Sequence, residues 1–229
     1  MAEFPYDYEA DFDVPGGKNA WFAELIGRGR SVLEVGCATG YVGEFLARER
    51  DCRVVGIELV PEAARKAEGR HCYDRVIVGD VLRAETRAQL GDTKFDYILF
   101  GDVLEHLPTP EAALTALTPY LAPDGSMLIC VPNVVHWSIR FRVLLGRFDY
   151  TTTGTLDRTH LRFYTPATAR SLVEAAGLEA VSERGVVWLP RFARQLPSRA
   201  ARSVDRVVGR LWPGLFWGQI LLETRPKRP

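Results

Sequence analysis

The chain has 229 residues, 29 Lys and Arg against 29 Asp and Glu, and 47% hydrophobic residues. That length supports one sizeable domain with its own core, and a formal net charge of zero provides no overall field of the kind that gathers nucleic acid. No apolar run reaches the length of a membrane span, the four cysteines (Cys37, Cys52, Cys72, Cys130) lack a C-x-x-C pattern, and the acidic start (Glu3, Asp7, Glu9, Asp11, Asp13) is unlike a signal peptide, so a cytoplasmic protein without disulfides or zinc is expected.

Residues 1–20 are polar and aromatic and end in Pro15-Gly16-Gly17, leading into a helix over 19–26; residues 1–30 are read as an N-terminal helical segment that closes over a site, and 31–229 as the main domain. A regular alternation follows. A strand over 31–35 precedes a glycine turn and a helix over 41–50, and a second strand covers 53–58. Pro61 opens a helix at its first position, and strands over 74–78 and 95–100 follow, separated by a short polar helix. Pro110 opens a helix running to 121 and stopped by Pro123-Asp124-Gly125, with a strand over 127–131 after it. Strands alternating with helices argue for an α/β fold, a parallel sheet covered on both faces.

After Pro132 the rhythm changes. Residues 133–165 form a long connection with a short amphipathic stretch (Trp137, Arg140, Phe141, Leu144, Leu145), and connections of that length are usually functional. Then come a helix over 166–176 ended by Gly177, a strand over 178–188, a basic amphipathic helix over 198–211 and a last strand over 215–224. The short return before that last strand fits an antiparallel pairing. Charge is uneven: residues 1–136 carry 13 Lys and Arg against 22 Asp and Glu, and residues 137–229 carry 16 against 7. The two parts either attract each other across one fold or the second offers arginines to an anionic substrate or an acidic carrier protein.

In open α/β sheets, ligands sit beyond the carboxyl ends of the strands. The first strand leads into Gly36-Cys37-Ala38-Thr39-Gly40, a turn that lets backbone approach a nucleotide. A dinucleotide fingerprint would require its third glycine where Tyr41 stands. The second strand ends in Glu58, an acid placed to accept hydrogen bonds from ribose hydroxyls. The third leads to Gly79-Asp80-Val81, where a carboxylate can accept an adenine amino group, and the fourth to Gly101-Asp102-Val103-Leu104-Glu105-His106-Leu107-Pro108.

In register, these four signals resemble motifs I to IV of the class I S-adenosylmethionine (SAM)-dependent methyltransferases, with Ala38 replacing the middle glycine of E-x-G-x-G-x-G; the resemblance spans residues 31–224. It implies a Rossmann-like, seven-stranded, mostly parallel sheet with the last strand antiparallel, SAM as cofactor and S-adenosylhomocysteine as product. It implies that Glu34 holds the loop and the methionine amino group, that Glu58 binds the ribose and that Asp80 and Val81 flank the adenine. Gly101, Asp102 and His106 would lie near the methionine end. Gly36, Cys37, Ala38, Gly40, Leu59 and Val103 complete the expected cofactor set. Residues 132–165 look like a subfamily of small-molecule methyltransferases of bacterial glycan and natural-product pathways. That likeness makes 133–165 a substrate lid, with Trp137, Arg140, Arg158, His160, Arg162 and Tyr164 as expected substrate contacts.

Methyl transfer from a sulfonium is an in-line displacement, so alignment and exclusion of water dominate, and an oxygen or nitrogen nucleophile also needs a base. His106, His136 and His160 follow the fourth strand, the fifth strand and the lid respectively, and are the candidate bases. For His106 the alternative is a residue that shapes the cofactor pocket, and for His160 an anchor of the lid. Asp157, Arg158 and Arg162 form an ion-pair lock, or the arginines grip an anionic acceptor. The expected reaction is methylation of a hydroxyl, or secondarily an amine, of a sugar, polyketide or aromatic metabolite, by a monomer or homodimer, with no metal and no nucleic-acid partner. The alternatives are a methyltransferase-like binding or regulatory subunit and an NAD-dependent oxidoreductase.

Overall fold

The computed structural model describes residue 12, residues 16–188, residue 207 and residues 209–227. Seven apolar runs form one sheet: β1 Ser31–Val35, β2 Arg53–Glu58, β3 Arg75–Val78, β4 Phe95–Gly101, β5 Leu121–Pro132, β6 Leu178–Val187 and β7 Trp217–Pro226. Their spatial order is β3-β2-β1-β4-β5-β7-β6. The first five strands pair in parallel, whereas β7 runs antiparallel to both neighbours, β5 and β6. The expected reversed last strand is therefore present, one place in from the sheet edge.

Helices cover both faces: α1 Lys18–Ile26, α2 Tyr41–Arg50, α3 Pro61–Glu68, α4 Ala84–Ala88, α5 Pro110–Leu117, α6 Trp137–Leu144 and α7 Pro166–Ala175. Because successive strand residues face opposite ways, β1 feeds two cores. Leu33 and Val35 join Ile57, Phe100 and Ile129 on one side, with Leu114 of α5 and Val173 of α7. Val32 joins Val54, Leu99 and Leu128 on the other, with Trp21, Phe22 and Ile26 of α1 and Leu46 of α2. Burial on both faces explains why these strands read as nearly unbroken apolar runs. Proline stands in the first turn of α3, α5 and α7, where its missing N–H costs nothing, and Thr165 and Thr168 close a capping box on α7.

Several boundaries differ from expectation. The helix opened by Pro110 ends at Leu117 and tightens into a 3-10 turn over Thr118–Tyr120, so Pro123-Asp124-Gly125 lie in the irregular opening of β5. There a Cβ on Gly125 would stand 2.9 Å from the Phe95 carbonyl oxygen, a close approach to β4 that only glycine permits. The last strand starts at Trp217, because Pro213–Phe216 takes a turn of helix first. The third strand begins at Arg75. The basic helix expected over 198–211 falls mostly, and the aromatic N-terminus with Tyr6 and Tyr8 wholly, outside the described residues. Among the described residues no helix is long and apolar enough to cross a membrane.

Candidate active site

A cavity of about 510 Å³ opens at the carboxyl ends of β1, β2 and β4, the size of a small-molecule site. Its floor is the turn between β1 and α2. Gly36 has φ +68°, and a Cβ there would stand 2.6 Å from Val103 Cγ2; Gly40 has φ +87°, and its Cβ would stand 2.9 Å from the Ala67 backbone. Both positions need glycine on conformational and steric grounds. Ala38 between them also has positive φ (48°), so the position expected to be glycine in motif I keeps a left-handed backbone with alanine in it.

Glu58, buried at the end of β2, ties this turn to its neighbour. One carboxylate oxygen accepts the Ala38 N–H at 2.8 Å and the other accepts the Val60 N–H at 2.8 Å. Two amides do not exhaust a carboxylate, which has about four lone-pair directions. Beside it Glu34 of β1 accepts the Tyr73 hydroxyl at 2.7 Å; burial pushes its carboxyl up to about 7. Asp80 accepts the Leu82 N–H at 2.8 Å, while Leu59 stands 65% exposed at the mouth and Val81 is buried.

At the end of β4, Asp102 has φ +61° and gathers donors from three distant segments. It pairs with Lys18 of α1, accepts Gln219 Nε2 at 2.9 and 3.1 Å, and accepts the Cys130 thiol at 3.2 Å. Past it lies a histidine pair, His106 and His160, with ring centroids 4.7 Å apart and edge to face. His106 Nδ1 lies 3.3 Å from the Thr159 carbonyl oxygen and 3.1 Å from Thr159 Oγ1. The Thr159 hydroxyl donates to Asp157 at 2.7 Å, so both Thr159 oxygens act as acceptors toward the ring. Nδ1 is therefore assigned a proton. Burial, with His160 as the second cause, lowers the His106 pKa and favours the neutral ring. His160 Nδ1 meets the Thr155 carbonyl oxygen at 3.1 Å, and its Nε2 is 3.9 Å from Glu105 Oε1. Glu105 is 1% exposed, and its other carboxylate oxygen has no hydrogen-bond partner among the described residues. Ligand atoms of Glu105, His106 and His160 lie within 4.8 Å of one another, a set that can hold a metal ion.

The residues present suit SAM. Acidic groups (Glu34, Glu58, Asp80, Asp102) line a cavity otherwise largely apolar, as a cationic, hydroxyl-rich nucleoside requires, and Leu59 and Val81 offer apolar surface to a flat base. Every residue of the expected cofactor set lines the cavity: Gly36, Cys37, Ala38 and Gly40 in the turn, Glu34 beneath it, Glu58 and Leu59, then Asp80 and Val81, then Gly101, Asp102, Val103 and His106. Burial pushes the Cys37 thiol far up, so it is inert surface.

The expected acceptor set is divided. Of it, His160 lines the cavity, together with Thr153, Gly154, Thr155, Asp157 and Thr159 of the insertion. The other five are not among its lining residues. Trp137 Nε1 donates to the Trp188 carbonyl at 3.0 Å, Arg140 to the Val135 carbonyl at 2.6 Å and Arg162 to the Pro108 carbonyl at 2.7 Å. Tyr164 is buried in the core and Arg158 is exposed. His136 also lies away from the cavity lining. It is 3% exposed, caps α6 through the Ser138 N–H, and sets Nδ1 2.8 Å from Ser138 Oγ and Nε2 2.9 Å from the Trp188 carbonyl oxygen. With both nitrogens engaged it holds the insertion together and is not placed to take an acceptor's proton. Sequence reading missed Lys18, Gln219 and Thr159, whose partners lie 84, 117 and 53 residues away. Glu105 between Leu104 and Leu107, like Glu34 within the apolar run of β1, was a local signal of a buried acid.

The chain matches a family described as a methyltransferase domain over residues 17–183. It is 29% identical over 166 residues to the ubiquinone biosynthesis O-methyltransferase of Idiomarina loihiensis, covering 71% of this chain and 67% of that protein. It is 30% identical over 194 residues to the same-named protein of Dinoroseobacter shibae, covering 81% and 75%. The crystal structure of a SAM-dependent methyltransferase from Archaeoglobus fulgidus shares the fold at a TM-score of 0.65 and 17% identity, over 93% of this chain and 95% of that one.

Proposed function

The chain belongs to the class I SAM-dependent methyltransferases, enzymes that methylate with SAM as donor, and we propose that it methylates a hydroxyl of a small aromatic metabolite with His106 as the base. The observation that carries the proposal is the placement of His106: its ring lines the end of the cofactor cavity, with Nδ1 held against both oxygens of Thr159 and the Thr159 hydroxyl held by Asp157. A hydroxyl acceptor is supported by relatives named O-methyltransferases, and an aromatic one by their naming for ubiquinone biosynthesis.

When bound, SAM supplies an electrophilic methyl group on a positively charged sulfur. Glu58 holds the glycine turn by two amides and keeps acceptor capacity for the ribose hydroxyls. Glu34, with Asp102 and its partner Lys18 beside it, would face the cationic amino end; a positive group there would favour the ionised form of Glu34 that burial otherwise opposes. Val81 and Leu59 would offer apolar surface to the base. Thr155, Asp157 and His160 line the cavity from the 133–165 segment, which would shield the reacting groups from water when an acceptor is bound. With SAM bound, His106 would take the hydroxyl proton while the carbon–sulfur bond is exchanged for a carbon–oxygen bond and S-adenosylhomocysteine leaves as a neutral thioether; the Asp157–Thr159 pair would hold the ring and steady the imidazolium.

The test is transfer of radiolabelled methyl from SAM to a panel of catechols, simple phenols, sugars and aryl amines. Labelling of phenolic hydroxyls that falls by at least about tenfold in His106→Asn, with SAM affinity retained, supports the reading. Tight SAM binding without turnover on any acceptor would favour a binding or regulatory role, and labelling of amines alone would move the acceptor class.

A further inference from the structure

The segment after β5 exposes far more apolar surface than any other part of the described chain. Phe141 is 57% exposed and Leu144 81% on α6, and Leu145 at 58% and Phe148 at 44% follow in the turn after it. The only fully buried residue of α6 is Ile139, so this helix turns its larger apolar face outward. Residues 137–148 contain three arginines (Arg140, Arg142, Arg147) and no acid; the first acid beyond them, Asp149, is 3.6 Å from Arg142.

We propose that this face of α6 and the turn after it docks the protein onto an anionic lipid bilayer. Arginines flanking a stripe of Phe and Leu on a short helix are the composition of an element that lies in the headgroup layer, with its apolar side chains in the acyl boundary and its cations on phosphate. The most exposed pair, Leu144 and Leu145, sits where the helix ends, a protruding turn suited to insertion. A second copy of the same face would set arginine against arginine, an arrangement that like charges oppose. The patch is continuous with the cavity rim: the Phe148 and Phe163 rings are 5.9 Å apart, and the Phe163 and His160 rings 6.4 Å. Docking therefore sets the acceptor side of the cavity at the bilayer surface. This inference does not depend on which residue is the base.

The experiment is co-sedimentation of the full chain with vesicles of phosphatidylcholine alone and of phosphatidylcholine mixed with phosphatidylglycerol, at low and high salt. The wild type is expected to pellet several-fold more with the anionic vesicles and to be released by salt. The double variant Leu144→Glu/Leu145→Glu should lose binding to both kinds of vesicle. Arg142→Gln/Arg147→Gln should lose the preference for anionic lipid. Both variants alter exposed or half-exposed side chains, and thermal melting with SAM titration confirms that they fold and keep the cofactor site. Failure of the wild type to pellet with anionic vesicles, or pelleting unaffected by the leucine variant, overturns the proposal. So does a wild-type dimer in solution by light scattering that the leucine variant dissociates, which assigns the face to a second copy.

Discussion

His106 Nδ1 lies 3.1 Å from Thr159 Oγ1, and the proton of that hydroxyl is committed to Asp157. The chain of three holds Nδ1 of the histidine against acceptors, and burial favours the uncharged ring. The residues come from opposite sides of the site, since His106 follows β4 whereas Asp157 and Thr159 belong to the segment between β5 and α7.

A pH profile follows. Burial lowers the His106 pKa, so the ring is neutral and able to accept a proton at pH 7, and becomes charged only below the ordinary histidine range. Activity should therefore fall with decreasing pH along a limb whose midpoint lies below 6.5, the ordinary value. Thr159→Val removes the hydroxyl acceptor; kcat should fall by about tenfold with the SAM dissociation constant unchanged. A profile flat through that region, or one unchanged by His106→Asn, would remove His106 as the base.

The donor atoms of Glu105, His106 and His160 are close enough to share an ion, yet the base mechanism requires none. Dialysis against a chelator should leave turnover intact. Loss of activity that an added divalent ion restores would reassign these three side chains from proton handling to metal binding.

Glu34 should leave its mark on stability. Its carboxyl is raised from 4.5 to about 7 by burial, so the unfolded chain ionises first as pH rises. The folded state is fully favoured below the unfolded value and loses stability between pH 4.5 and about 7, by about 3 kcal/mol in total. Urea denaturation of the protein without cofactor should show this decline, and Glu34→Gln should flatten it. Parallel curves for the two proteins would contradict the assignment.

Gly36→Ala tests the turn itself. The backbone there is left-handed and a Cβ would strike the Val103 side chain, so the variant should lose about 1–3 kcal/mol of stability and bind SAM more weakly. Melting and cofactor titration of the one variant measure both.

The parallel half of the sheet was readable because each strand is buried on both faces and ends in a distinctive turn: Val32, Leu33 and Val35 before Gly36, Ile57 before Glu58, Phe100 before Gly101. The stop after α5 was not, because glycine and proline at 123–125 mark equally well a turn and a strand pressed against Phe95. The residues expected to hold the cofactor all line one cavity because they follow consecutive strands. The acceptor side depends on how 133–165 folds back, and no local pattern announces that Thr159 meets His106 or that His136 turns toward Trp188. Arginines attract attention in a sequence as anion binders, yet Arg140 and Arg162 spend donors on nearby carbonyls.

Glu58 is the residue on which the cofactor assignment turns, because it joins the glycine turn to the β2 end and is the expected ribose acceptor. The most direct measurement is calorimetric titration of SAM into the wild type and into Glu58→Ala, with melting curves to confirm that both are folded. The wild type should bind SAM and its demethylated product, and the variant should bind both at least about tenfold more weakly, a loss of about 1.4 kcal/mol or more. Equal affinities in two folded proteins would contradict the placement of the cofactor.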